Sequence, residues 1–531
     1  MVSTQEALAS QVGLEILRAG GNAIDAAVAI GFTLAVTLPR AGNLGGGGFM
    51  LVHNARSGET VAIDYREMAP AAAAGDMYLD DAGEVDNNEA RFTYRSVGVP
   101  GSVAGLVLAL DKFGTLSLAD ALAPAIELAE NGFTVRKDLS ESIAGYEKRL
   151  KSWPESKRIF FKTDGARYQP GDKFIQSELA WSLKQIADHG PEAFYEGAIA
   201  ERIAADMKAN GGLITLDDLA AYEAKLRQPV SGTYRGYEIK SMPPPSSGGI
   251  HLVQMLNILE DYPIGFLGVN SADTIHLMAE AMKLAYADRS EHLGDPEFWD
   301  VPVAGLTSKD YAASLREQIN LKRATPAEQI KPGTPMPFES NETTHFSVID
   351  SQGNMVSNTY TINFGYGTSI VAAGTGILLN NEMDDFSSKP GVPNAYGLVG
   401  GEANAIESGK RPLSSMTPTL VLKDGQPFLA TGSPGGSRII TTTLQVIMNV
   451  IDHEMNIAAA TATPRIHHQW LPDELRTERG ISPDTLDLLT ERGHKIVTKW
   501  AMGSTQSIMK TEAGLYGASD PRRPGAKTLG Y

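Results

Sequence analysis

Residues 342–363 read Glu342-Thr343-Thr344-His345-Phe346-Ser347-Val348-Ile349-Asp350, then Ser351-Gln352-Gly353-Asn354, then Met355-Val356-Ser357-Asn358-Thr359-Tyr360-Thr361-Ile362-Asn363. Both flanks are rich in β-branched and aromatic residues, the composition of strands. The Asp-x-x-Gly-Asn between them reads as a tight hairpin loop, with Gly353 or Asn354 able to take a positive φ. Thr343 then stands at the exposed beginning of one strand. Thr361 and Asn363 return to the same end on its antiparallel neighbour. A threonine hydroxyl is a poor nucleophile unless a base lies beside it. A freed α-amino group on the same residue, with an ordinary pKa of about 7.7–8.0, can be that base. It exists only if Glu342–Thr343 is cut, so the stretch makes sense as a nucleophile hidden inside a precursor.

The surroundings bound the possibilities. A chain of 531 residues can form one large core or two to three ordinary domains. Hydrophobic residues make up 42% and charged residues 21%, the balance of a soluble globular protein. The net charge of −17 argues against a nucleic-acid footprint, which needs a basic face. The chain has no cysteine, which excludes disulfides, thiolate metal sites and a cysteine nucleophile. Met1–Glu6 offers neither a basic n-region nor an apolar run, so no signal peptide is expected. The most apolar stretch, Ala23 to Leu38, is too short for a membrane span and carries Asp25.

Along the chain, residues 3–19 read as an amphipathic helix, and Asn22 caps a second, almost wholly apolar one through Val36. Gly45–Gly48 resembles a phosphate cradle but matches no phosphate-binding motif, so close packing of helix and sheet is the expectation. Strand Val61–Arg66 follows. Residues 100–320 are mostly helical, with Leu116–Glu130, Ser177–His189, Ala193–Lys208 and Ala272–Arg289 as examples. A short β stretch at Gly232–Ser241 breaks that run. Lys322–Asn341 reads as an exposed linker, suited to a cleavage site at its end. Gly376–Leu379 reads as a buried strand. Ser387–Met416 is long and irregular, and its Val392, Tyr396 and Leu398 favour a lid. Thr419–Lys423 and Pro427–Thr431 form a second hairpin around Asp424-Gly425. Gly432–Ser437 leads into helix Arg438–Ile451, whose first N–H groups are unpaired and face that loop.

The chemistry these residues can carry is specific. No G-x-S-x-G elbow and no H-E-x-x-H appears. His467 and His468 are adjacent and would point to opposite sides of a strand, and Asp384-Asp385 reads as a solvated turn sooner than a cation site. Arg66 with Ser414 and Ser415 would bind a carboxylate through a fork and two hydroxyls. Asn363, Glu382 and Asp385 would bind an ammonium. Together they describe a socket for the head of an α-amino acid. The N–H groups of Gly435 and Gly436 would stabilise an oxyanion, and Thr343 would attack an acyl carbon at the other end of the ligand.

Thr343–Ser347, Asn380–Phe386, Arg411–Met416 and Thr431–Gly436 closely resemble the γ-glutamyltranspeptidases (glutathione hydrolases) of the bacterial type. So do Gly42–Met50, Asp64–Pro70, Met242–His251 and Met502–Met509, and the resemblance spans essentially the whole chain. It implies an α+β, four-layer α-β-β-α fold of the N-terminal-nucleophile hydrolases. It also implies self-cleavage into a large chain, 1–342, and a small catalytic chain, 343–531, that stay associated in one fold. Thr343 would be the nucleophile and its α-amine the base, with Thr361 orienting both. Arg66, Ser414 and Ser415 would hold the substrate α-carboxylate; Asn363, Glu382 and Asp385 its amino group; Gly435-Gly436 the oxyanion. Residues 390–401, with Tyr396, resemble the lid loop of some bacterial members. Position 382 is Glu where similar enzymes often have Gln, and an acid suits an ammonium equally well.

The activity implied is cleavage of γ-glutamyl amides such as glutathione through a Thr343 ester. That ester would pass to water or to amino acid and peptide amines, with no cofactor or metal. A periplasmic or secreted location rests on the resemblance alone. One rival is a glutaryl-type cephalosporin acylase of the same superfamily, whose substrates lack the α-amino group. Another, of a different class, is an uncleaved amino-acid-binding protein that never exposes the Thr343 amine.

Overall fold

The computed structural model describes residues 1–333, 344–389, 401–499 and 501–531. The strands of its two large sheets, in chain order, are β1 (Val2–Thr4), β2 (Gly47–Asn54), β3 (Glu59–Tyr65), β4 (Lys225–Arg227), β5 (Val230–Tyr234), β6 (Tyr237–Ser241), β7 (Thr344–Ile349), β8 (Met355–Thr361), β9 (Thr419–Lys423), β10 (Gln426–Thr431), β11 (Gln506–Thr511), β12 (Gly514–Ser519) and β13 (Lys527–Leu529). They form a seven-stranded sheet ordered β13-β1-β7-β8-β2-β3-β4 and a six-stranded sheet ordered β12-β11-β10-β9-β6-β5. Both sheets draw strands from before and after residue 342, so the two expected chains share one core.

Helices cover the outer faces. On the seven-stranded sheet these include α1 (Ala7–Arg18), α2 (Ala23–Thr37), α3 (Ser102–Phe113), α4 (Leu118–Asn131) and α5 (Lys137–Gly145). On the six-stranded sheet they include α6 (Gly248–Leu259), α7 (Ala272–His292) and α8 (Arg438–Ile451). Strand periodicity builds the layers. In β2, Met50 and Val52 point into the helical core, while Phe49 and Leu51 point between the sheets. In β9, Val421 joins the α6–α8 core, while Leu420 and Leu422 meet Phe49 and Leu51 between the sheets. The result is the expected α-β-β-α sandwich. Helix α2 is buried along its whole length. Its entry is fixed by a capping box in which Asn22 Oδ1 accepts from Asp25 N at 2.9 Å and Asp25 accepts from Asn22 N at 2.8 Å. Such a cap contributes about 1 kcal/mol.

The central hairpin forms as read, β7 pairing with β8 from Met355↔Ile349 to Tyr360↔Thr344. Asp424 and Gly425 both have positive φ, as a type I′ turn requires. Four expectations need correction. Residues 3–6 are not helix: the helix begins at Ala7, and Val2–Thr4 forms a strand between β7 and β13, a non-local pairing that helical periodicity cannot reveal. The helix expected over 193–208 is two, Glu192–Tyr195 and Ala198–Ala209, parted at Glu196-Gly197. Gly376–Leu379 makes only single bridges, Val371↔Leu378 and Gly45↔Leu379. The linker is not free of the body as far as Gly333. Ala327 and Ile330 are buried, Trp470 Nε1 donates to both of their carbonyls, and Gly333 N donates to Asp288 Oδ1 at 2.8 Å.

Candidate active site

Six segments come together at one edge of the two sheets. The start of β2 lies beside the end of β8, so closely that a Cβ on Gly46 would sit 2.0 Å from the Thr361 carbonyl oxygen. The glycine run therefore serves backbone approach, as its sequence suggested. The end of β3 delivers Arg66 and Glu67. A 3-10 turn, Glu382–Asp385, lies against them. The loop 411–416 and the loop 432–437 before α8 close the site.

Arg66 is fully buried and is the centre of the arrangement. Its Nη1 donates to Glu382 Oε1 and its Nη2 to Asp385 Oδ2. Nη1 also lies 3.4 Å from Glu67 Oε2, and Nε donates to the Pro412 carbonyl at 3.1 Å. Burial by itself would lower the guanidinium pKa, but the carboxylates of Glu382, Asp385 and Glu67 raise it. Burial pushes the Glu67 carboxyl up to about 7 against the pull of Arg66. Burial likewise raises Glu382 well above the carboxylate range, again opposed by Arg66. Two buried acids on one guanidinium thus share protons. Next to them, burial lifts Asp384 to about 6, although Arg91 Nε donates to it at 2.7 Å. Asp384 is therefore buried and ion-paired, not the solvated turn expected.

The remaining recognition residues join this cluster. Asn363, at φ 67°, donates from Nδ2 to the Asn381 carbonyl at 2.9 Å, which ties it to the Glu382–Asp385 turn. Ser414 N donates to the Pro245 carbonyl at 2.8 Å, and Ser247 N returns a 2.8 Å bond to the Ser414 carbonyl. Ser415 Oγ accepts from Arg289 Nη2 at 3.0 Å, while Arg289 Nε donates to Ser247 Oγ at 3.0 Å. One turn earlier on α7, the Tyr286 hydroxyl donates to the Ser437 carbonyl. Helix α7 thus fixes both the Ser414-Ser415 loop and the Gly435–Ser437 loop. Arg289, Tyr286 and Glu67 were missed in the sequence. Only the adjacency of Glu67 to Arg66 could have flagged one of them.

The acyl-chemistry end is built from neutral groups. Thr361 is buried at the end of β8, and its Oγ1 accepts from Asn363 N at 2.8 Å. Gly435 (φ 135°) and Gly436 (φ 58°) precede α8, with Ile439 N donating to the Gly436 carbonyl at 2.8 Å. Their own N–H groups have no acceptor among the described residues. His345 lies behind this loop, hydrogen-bonded to Thr359 and Ser347, and burial holds its pKa down to about 3, so it is a neutral prop. Glu342, Thr343 and Tyr396, with most of the proposed lid, lie outside the described residues. Thr344, the first described residue of the strand, is fully buried.

Among the described residues, His276, Glu280 and His494 come within reach of a shared cation. Each is already engaged inside the protein: His276 Nδ1 with His494 Nε2 at 2.8 Å, His276 Nε2 with the Asn320 carbonyl, and Glu280 with Lys283. His467 and His468 point to different partners, Thr441 and Asp473, as their adjacency implied.

Comparison with known proteins finds relatives over essentially the whole chain. The gamma-glutamyltranspeptidase family model matches residues 9–530. The chain is 57% identical over 533 residues to the glutathione hydrolase proenzyme of Escherichia coli (strain K12), covering 100% of this chain and 92% of that protein. Among solved structures, a cephalosporin acylase from Bacillus halodurans is similar with a TM-score of 0.88 at 30% identity, covering 100% of this chain and 96% of that one. Helicobacter pylori gamma-glutamyltranspeptidase is similar with a TM-score of 0.61 at 49% identity, covering 61% of this chain and 93% of that one.

Proposed function

Because the chain belongs to the γ-glutamyltranspeptidase family, we propose that it is a self-cleaving γ-glutamyl transferase and hydrolase whose nucleophile is Thr343. It acts on γ-glutamyl amides in the manner of the glutathione hydrolase proenzymes it resembles. The precursor is cut at Glu342–Thr343, leaving 1–342 and 343–531 as the large and small chains of one fold. The freed Thr343 amine takes the proton from Thr343 Oγ as the oxygen attacks the donor γ-carbonyl carbon. Charge on the carbonyl oxygen is held by the Gly435 and Gly436 N–H groups. The proton passes to the leaving amine as the amide C–N bond breaks, which gives a γ-glutamyl ester. Water or an acceptor amine then opens that ester and restores the hydroxyl. Thr361 orients the Thr343 amine and hydroxyl, and Tyr396 belongs to the lid. Glutathione is a donor, and amino acids and short peptides are acceptors.

One observation carries the substrate assignment. Arg66, Glu382 and Asp385 form a buried ion-pair cluster beside Ser414 and Ser415. An α-amino acid head carries both complementary charges, so it can exchange for the internal pairs without leaving a buried charge alone. Its carboxylate takes the Arg66 fork and the serine hydroxyls. Its ammonium takes Glu382, Asp385 and the Asn363 side chain. A glutaryl group supplies the carboxylate but no ammonium, and would leave the acids uncompensated. The cluster therefore favours γ-glutamyl over glutaryl donors.

No helix among the described residues is long and apolar enough to cross a membrane. Periplasmic or secreted residence is part of the proposal, to be read by cell fractionation. Denaturing electrophoresis tests the nucleophile. The 56.8 kDa chain should divide into pieces of roughly 37 and 20 kDa by residue fraction, and the smaller should begin Thr-Thr-His-Phe-Ser. Thr343→Ala should stay whole and lose activity. A wild-type chain that is whole and fully active would overturn the mechanism, and one that is whole and inactive would leave the amino-acid-binding protein as the better reading.

A further inference from the structure

Away from the donor socket, a cavity of about 550 Å³ opens between the end of α2, helix α5 and the loop 523–525. That volume is in the range of small-molecule sites. Its walls have two characters. Leu38, Leu139 and Tyr146 give an apolar lining, and Arg40, Arg136, Lys137 and Arg523 give four cations. Two acids also face it, each near one of the cations: Asp138 with Arg136 at 3.7 Å and Glu141 with Lys137 at 3.6 Å. In a chain of net charge −17, a cavity with cations in excess is a local exception, and such a concentration of charge selects a counter-ion.

Two groups at this wall are short of acceptors. Gln5 is 2% exposed, and its Nε2 has no hydrogen-bond partner among the described residues. Its Oε1 accepts from Arg40 Nη2 at 3.4 Å, which fixes which end of the amide carries the unmet donor. No carboxylate among the described residues pairs with the half-buried Arg40; Gln5 is its side-chain partner. A buried donor left unmade is costly, and a guanidinium fork matches two oxygens of one anion. The missing partner for both is an acceptor carrying negative charge.

We propose that this cavity binds a small organic oxyanion, a carboxylate or phosphate on an apolar body, with Arg40 and Gln5 as its principal contacts. The site is separate from the donor socket but structurally joined to it. The Arg40 carbonyl accepts from Tyr366 N at 3.0 Å, and Asn43, three residues on, donates from Nδ2 to the Thr361 carbonyl at 2.8 Å. The strap 40–43 therefore links the cavity to the end of β8.

Isothermal titration of the purified full-length protein with phenylacetate, phenyl phosphate and the neutral phenylacetamide tests the proposal. At least one anion should bind ten-fold or more tightly than the amide, and the stronger of the two identifies the oxyanion. Arg40→Met should weaken that binding about ten-fold, and Gln5→Leu, which removes the unmet donor while keeping volume, about three-fold or more. Should Arg40→Met fail to fold, Gln5→Leu carries the test by itself. Asp385→Ala, in the donor socket, should leave anion affinity as in the wild type. The proposal is wrong if the amide binds as well as the anions, if the folded variants at 40 and 5 bind like wild type, or if Asp385→Ala abolishes binding.

Discussion

The two ends of the proposed active site solve different problems with different materials. The recognition end packs Arg66, Glu67, Glu382, Asp384 and Asp385 into a space nearly sealed from water. The acyl-chemistry end uses Thr361, backbone N–H groups and a histidine that burial keeps neutral. Charges so placed are costly to desolvate and are held only by each other, which makes the recognition end sensitive to substrate charge and to pH. Preorganised neutral dipoles carry no such penalty, and they act when charge develops on the substrate. The difference teaches that specificity and chemistry can be broken separately.

The harshest way to break the comparison is Arg66→Met. It removes the one cation common to three carboxylates while keeping volume. Breaking a buried pair in this way costs about 3–5 kcal/mol, so the unfolding midpoint should fall. The kcat/KM for γ-glutamyl and glutaryl donors should fall together by roughly a thousand-fold or more, as both use the carboxylate subsite. Unchanged stability with unchanged turnover would mean that the cluster does not hold the site together. Asp385→Ala is narrower. It should cost γ-glutamyl donors about 2–5 kcal/mol in kcat/KM if the ammonium pair is buried, and glutaryl donors little. Equal losses on the two donors would assign Asp385 a structural role alone.

A smaller change probes the support behind the carboxylate subsite. Arg289 reaches Ser415 and Ser247 with two different nitrogens of one planar group. Arg289→Lys keeps a charge but loses the fork, so about 1 kcal/mol of positioning should go. This should appear as a rise in KM for both donors with little change in kcat. A fall in kcat alone would place Arg289 with the chemistry end.

How much of this was legible beforehand follows the same division. The central hairpin, the start of α8 at Arg438 and the second hairpin are local patterns, and the structure forms them where they were read, although Arg438 N and Ile439 N donate to the Gly435 and Gly436 carbonyls and so are not the unpaired groups expected. Arg66, Asn363, Glu382, Asp385, Ser414 and Ser415 were grouped because their charges would suit a zwitterion, and the structure brings them together, while what they bind belongs to the proposal. What stayed hidden is non-local. Residues 2–4 become a strand because β7 and β13 lie on either side, from hundreds of residues away. Arg289 looks like the end of a surface helix until packing buries it against Ser415. The mutual neutralisation of Arg66 with the acids could not be read either, because opposite charges assigned to opposite ends of a ligand give no hint that they touch each other.

That mutual contact sets the finest test, Glu382→Gln. In the wild type, burial holds the Glu67 carboxyl up to about 7, with Arg66 pulling it down, and burial likewise raises Glu382 well above the ordinary carboxylate range against the pull of Arg66. As pH falls through about 7, the cluster takes up a proton and loses negative charge that would face the substrate ammonium. Donor KM should therefore rise as pH falls from 8 toward 6, at most about ten-fold per unit for one proton. Glutamine keeps the shape and a hydrogen-bonding oxygen for Arg66 but cannot ionise. Glu67 then has Arg66 with one fewer acid competing for it, so its pKa drops and the rise in KM moves to lower pH. At pH 8 the variant should lie within a few-fold of the wild type, because Asp385 still faces the ammonium. The measurement is donor KM from pH 5.5 to 8 for both proteins, with a glutaryl donor as the control that has no ammonium to lose. Superimposable KM profiles for the two proteins would show that Glu382 takes no part in the proton balance of the socket, and a glutaryl profile that moves with the γ-glutamyl one would trace the titration to the carboxylate subsite instead.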